Sequence, residues 1–141
     1  MTISNATIGS DVYGEIRTIL TSANLIVTNS TTSATTAASI NATFNDKSPS
    51  KPEVVIIPVS KDESSYKFGS VRGKMFINVG IECYYKSTLG CDQLADQVEH
   101  ALSTTNINGI ELIASTRDYA FNTSNQSKWQ AVTLNFTYDR E

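Results

Sequence analysis

Asp92, Asp96 and Glu99 recur at i, i+4 and i+7 in the stretch TLGCDQLADQVEHAL, and His100 follows directly. On a helix that spacing sets the carboxylates along one flank, where they can present oxygen ligands to a metal ion. A solvated acidic helix face is the plainer reading of such a row. His100 is the single histidine, with no cysteine or second histidine at ligand spacing. It reads as a solvated side chain near a helix C-terminus, where the dipole favours a cation. Cys83 and Cys91 have no further recognisable ligand, which argues against zinc. They read as small buried thiols, with a disulfide left open.

Nucleophile chemistry has no recognisable setting. No G-x-S-x-G occurs, and no S-x-x-K-type arrangement stands out beside a base. A phosphate cradle needs G-x-x-x-x-G-K-[ST]. FGSVRGKM has only three residues between Gly69 and Gly73, and Met75 follows Lys74. Neither catalysis nor a cofactor nor a metal is expected.

The whole chain, 141 residues, suits a single domain, 1–141, long enough to bury roughly 70% of its unfolded surface. Hydrophobic content of 40% with 18% charged residues fits a folded chain rather than a disordered one. A net charge of −3 opposes sequence-independent nucleic-acid binding, which needs clustered Lys and Arg. It is compatible with a surface past which DNA slides. No apolar run reaches the ~20 residues of a membrane span. The start MTISNATIGSD lacks a signal peptide's basic and apolar regions, so the chain reads as made and used without secretion. The Asn-x-Ser/Thr triplets at Asn5, Asn29, Asn41, Asn122, Asn125 and Asn135 then read as accidents of composition.

The elements follow from periodicity. Asp11 is placed to cap a helix carrying Val12, Ile16, Ile19 and Leu20 on one side, and Leu25–Val27 turns extended. The polar tract Thr28 to Ser39 has no periodicity and reads as a loop or a weak edge strand, with the loop favoured. Ile40, Ala42 and Phe44 alternate as a half-buried strand before Pro49 and Pro52 force a turn. PEVVIIPV is apolar on both faces and reads as a central strand covered on both sides, with Pro58 at its end or at a bulge. Residues 60–74, polar and glycine-containing, read as a long loop. Met75, Ile77, Val79, Ile81, Cys83 and Tyr85 alternate with Phe76, Asn78, Gly80, Glu82 and Tyr84 in one long strand. A helix capped by Ser87 or Thr88 follows, packing Asp92 to Ser103 on the sheet, with Gly90 awkward in its first turn. NING supplies a turn. IELIAS is a strand with Ile110, Leu112 and Ala114 on one face, and WQAVTLNFTY places Val132, Leu134, Phe136 and Tyr138 together. The order α-β-β-β-α-β-β defines an α+β fold with a mixed, mainly antiparallel sheet. Both helices, or a neighbouring subunit, are expected to cover it.

This arrangement resembles the tail terminator (tail completion) proteins of long-tailed bacterial and archaeal viruses. The resemblance is carried by SINATFNDKSPSKPEVVIIPVS, by KMFINVGIECYYKS running into LGCDQLADQVEHAL, and by GIELIASTRDY with KWQAVTLNFTYDR. It covers about Ile40 to Arg140 and rests on hydrophobic patterns rather than fixed residues. It implies a structural virion protein that forms a ring, usually hexameric, at the head-proximal end of the tail tube. Such a ring ends tube polymerisation and joins the tail to the head connector or neck protein. Its partners would be its own copies, the tube protein and the connector, with DNA passing through unread and no membrane involved. It would be assembled in the host cytoplasm and end in the virion.

Subunit or tube contacts are expected in two regions. Tyr66, Lys67, Phe68 and Arg72 join aromatic and cationic side chains of the kind enriched at interfaces. Arg117 and Asp118, with Asp139 and Arg140 near the C-terminus, are placed to make charged contacts between subunits. The plainer readings are a surface loop and a solvated end. The rival functions are another neck or head–tail joining protein, a tube subunit, and, from a different class, a small-molecule-binding α+β domain or enzyme. The strand's alternation is directly testable. Val79→Asp is expected to abolish cooperative unfolding in urea, and Asn78→Asp to leave it nearly unchanged; equal damage from both would refute the assigned faces.

Overall fold

The strict alternation of Met75–Tyr85 makes this strand, β6, the one on which the sheet is built. In the computed structural model, which describes residues 5–29, 31–42, 51–63, 75–120 and 130–140, helix α1 spans Ile8–Ser22 and α2 Thr88–Thr104. The remaining strands are β1 (Ile26–Thr28), β2 (Thr35–Ala37), β3 (Ser39–Asn41), β4 (Glu53–Ile56), β5 (Ser60–Glu63), β7 (Ile110–Ala120) and β8 (Gln130–Arg140). The main sheet runs β3-β4-β6-β8-β7, with β5 also paired to β6. Every pairing is antiparallel except β3 with β4. The fold is α+β, with no described helix long and apolar enough to cross a membrane.

Burial follows the sequence period. Ile77, Val79, Ile81 and Cys83 of β6 are sealed against Leu94, Ala95 and Val98 of α2 and Val132, Leu134 and Phe136 of β8 in one apolar cluster. Val12, Ile16 and Leu20 of α1 join the same cluster, so both helices cover one face. Each large side chain buried this way contributes about 1.5–3 kcal/mol. The helices therefore do not sandwich the sheet, the first of the two covers expected, although the strand of PEVVIIPV is itself buried throughout, as its two apolar faces implied. Glu53 and Val55 are nonetheless buried on the far side of β4.

Pro58 sits where a proline is tolerated. Ile56 pairs with Ile81 but Ser60 with Asn78, so β4 and β5 form one edge of β6 interrupted by a bulge at Ile57–Val59. The Ile57 N–H bridges the interruption to the Gly80 carbonyl at 2.8 Å. A Cβ on Gly80 would meet Ile57 Cδ1 at 2.9 Å, the mobile end of a side chain that lies over the glycine.

Four local expectations are corrected. The 28–39 tract is not a plain loop: Thr35–Ala37 pairs with Ile26–Thr28 in a small hairpin. Its register comes from α2, whose Gln97 and Gln93 side-chain amides exchange hydrogen bonds with the Ile26 and Thr28 backbone at 2.7–3.3 Å. The 60–74 loop begins with a strand, because Ser60–Glu63 finds backbone partners along Met75–Asn78. α1 starts at Ile8 behind Thr7, so Asp11 is not its cap but lies in the first turn, accepting a bond from Thr7 Oγ1. In β7 a register shift between Leu112 and Ala114 turns Ala114 away from the face of Ile110 and Leu112.

Ser87 caps α2, its Oγ accepting from the Gly90 N–H at 3.1 Å. The glycine is needed there because a Cβ would collide with the Tyr85 ring, whereas one on Gly14 would meet nothing within 4 Å. Gly90→Ala is expected to lower stability by about 1–3 kcal/mol through overpacking. Gly14→Ala should raise it by about 0.5–1 kcal/mol through helix propensity. Urea midpoints of the two variants check both signs.

Candidate functional site

One face of the sheet, opposite the helices, has no described element packed across it. Register places Phe76, Asn78, Gly80, Glu82 and Tyr84 of β6 on that face beside Asp139, Thr137, Asn135, Thr133 and Ala131 of β8. From β7 the same face takes Glu111, Ala114, Thr116 and Asp118, and from β4 Glu53 and Val55. Most of the β6 and β8 side chains there are half-buried, with Asn135 exposed. Their local bonds are short. Tyr84 Oη donates to Glu82 Oε2 at 2.7 Å, Thr137 Oγ1 to Asn78 Oδ1 at 3.3 Å, and Asn41 Nδ2 to Glu53 Oε1 at 2.9 Å. Burial, with the Glu82 bond and charge behind it, pushes the Tyr84 phenol well above its ordinary value, so it stays a neutral donor.

The charge on this face has one sign. Glu53, Glu82, Glu111, Asp118 and Asp139 share it, and among the described residues of β4, β6, β7 and β8 no Lys or Arg does. The carboxylates of this described wall, set among hydroxyls and amides, disfavour a polyanion by charge.

The cations of β7 and β8 lie elsewhere. Arg117 pairs in register with core-facing Leu134 and reaches α2, where its guanidinium meets Asp96 and Glu99 at 2.8 Å and Asp92 at 3.2 Å. The Glu99 hydrogen bond, partly opposed by desolvation and helped by Asp96, holds its pKa above the ordinary value. Its side chain is only 20% exposed. The row at 92, 96 and 99 is thus a clamp on β7. Among the described residues, no group of His, Cys, Asp and Glu is placed to hold a metal ion. Periodicity alone could not reveal that clamp, because its fourth member arrives from a strand eighteen residues beyond Glu99 in the chain. Arg140 donates to the Gly109 carbonyl at 3.0 Å, across a turn where Gly109 has φ +88°. Asp118 and Asp139 share the open face but stand near opposite ends of β7 and β8. The structure does not gather these four into one patch. Tyr66, Lys67, Phe68 and Arg72 lie outside the described residues.

A recess of about 610 Å³ lies between the end of α2 and the start of β7, lined by Asn106, Asn108, Glu111 and Tyr138 among others. The Tyr138 hydroxyl is buried with no hydrogen-bond partner, and burial pushes its pKa up to about 12. Glu111 is the single carboxylate of the lining, so no acid–base pair forms there.

No protein-family model matches the chain, and no curated protein matches it. Among solved structures it is similar to a chain of one titled "Virion of native gene transfer agent (GTA) particle", at TM-score 0.48 and 12% identity. That match covers 72% of this chain and 78% of that one. A likeness of this size does not define a role for this chain.

Cys83 and Cys91 are free and buried. Burial and then Cys91 raise the Cys83 thiol far above its ordinary value, and burial pushes Cys91 up to about 11. The folded chain therefore resists thiolate formation that the unfolded chain allows above 9.0. A thiol-specific disulfide reagent at pH 8 is expected to label neither cysteine until denaturant unfolds the chain. Stability should fall as pH rises from about 9 toward about 11. Rapid labelling of the folded chain would contradict this burial.

Proposed function

We propose that this chain is a structural virion protein of the tail–head junction. Its copies close into a ring, six in the family it resembles, that caps the tail tube, ends tube growth and meets the head connector. DNA passes through the ring without being read, and no side chain makes or breaks a bond. The observation that carries this reading is the hydroxyl-rich, acidic sheet face across which no described element packs. A surface that must let a polyanion slide needs that chemistry, and a protein that works by shape needs no paired acid and base. Tyr66, Lys67, Phe68 and Arg72 are proposed as tube or subunit contacts. Asp118 and Asp139 are proposed for the passage wall, and Arg117 and Arg140 as supports of β7 behind it. Another neck protein would share this architecture and differ in what it touches.

The recess beside Tyr138 favours a second reading, a small-molecule-binding domain. Negative-stain microscopy with solution mass, on the purified chain alone and mixed with tail tubes, separates the two. Rings with a central opening, free or seated at tube ends, are expected. A chain that stays single under both conditions and melts higher with a small ligand would replace the virion reading.

A further inference from the structure

Strand direction at the two sides of the sheet carries an inference that rests on the ring reading and names its joint. β7 ends the sheet on one side, with β8 its only strand partner among the described residues. The other side ends in β3 and β5, on either side of the bulge at Ile57–Val59. β7 is antiparallel to β8, β8 to β6, and β6 to both β4 and β5. β3 lies parallel to β4. It follows that β3 and β5 both run opposite to β7.

Rotating a copy about an axis lying along the strands keeps every strand's direction and keeps the same face inward. β7 of one copy then meets β5 of the next in the antiparallel sense, where main-chain pairing needs no reversal, and β3, one strand farther out beside β4, runs in that same sense. We propose that copies of this chain join head-to-tail by pairing β7 with the β3–β5 side of the neighbour. The result is one continuous sheet with the open acidic face inward and both helices outward.

Further observations favour this joint. β7 carries exposed Ile113 (49%) and Tyr119 (47%) beside exposed Glu111 and Asp118, apolar area that pairing with a neighbour would cover. Both sides of the sheet also carry a bulge, at Leu112/Ala114 and at Ile57–Val59. Bulges bend and twist strands, which a closing sheet requires. The rival is a twofold β7–β7 contact, also antiparallel, which leaves β3 and β5 unpaired.

Register supplies the test. Ser60 lies level with Asn78, Asn78 with Thr137, and Thr137 with Ala114. Ser60→Cys, Ala114→Cys and the double variant are treated with a short bis-maleimide at concentrations where the chain assembles, then separated in denaturant. The double variant is expected to give a ladder of multimers ending at the closed ring, and each single variant to stay monomeric. Dimers from Ala114→Cys alone would replace the joint by the twofold contact. Rings visible by microscopy with no ladder would overturn this joint and leave the ring. Absence of both rings and cross-links would overturn the ring as well.

Discussion

The alternation of β6 is the constraint on which the rest depends. Its odd-numbered side chains leave water against α1 and α2, and a strand has only one other face to give. Once both helices are committed to one side, the even-numbered side chains of β6, with their register partners on β8 and β7, form a second face that neither helix packs against. That surface carries hydroxyls, amides and carboxylates together with Phe76, Tyr84 and Val55. The acidic face and the core are thus two readings of the same register, and a slip of one residue would exchange them.

The outer strand is fixed by a separate device. β7 has β8 as its backbone partner on one side, and its centre is tied down from the core face by Arg117, which three α2 carboxylates grip. The pairs are partly exposed, so their worth is modest individually, but a shared cation orders several side chains at once. Their effect is positional: β7 stays in the plane of the sheet with its far edge presented. The Gln93 and Gln97 amides do the same for the β1–β2 hairpin, standing in for a strand that is not there. α2 therefore works as core, clamp and template together.

Much of this was legible in the sequence where one physical period dominated. The β6 alternation, the β8 face at Val132, Leu134, Phe136 and Tyr138, the Ser87 cap and the proline at a bulge are local consequences of pleat, cap and missing donor. What was not legible depends on partners distant in the chain. The β1–β2 hairpin has no alternation because its register is set by glutamines some sixty-five and seventy-one residues away. The extra residue in β7 that turns Ala114 over leaves no mark in IELIAS. The acidic wall escaped notice because its members are scattered through four strands, and only register brings Glu82, Asp118 and Asp139 onto one face.

The proposed role requires one arrangement in space: the acidic face of the sheet would look onto a passage and the helices away from it. A cryo-electron microscopy map of the assembled chain tests this most directly. The account predicts Glu82, Thr133 and Asp139 around the central opening, with α1 and α2 on the outer rim. A map with the helices at the opening, or with the acidic face buried against a neighbour, would contradict it.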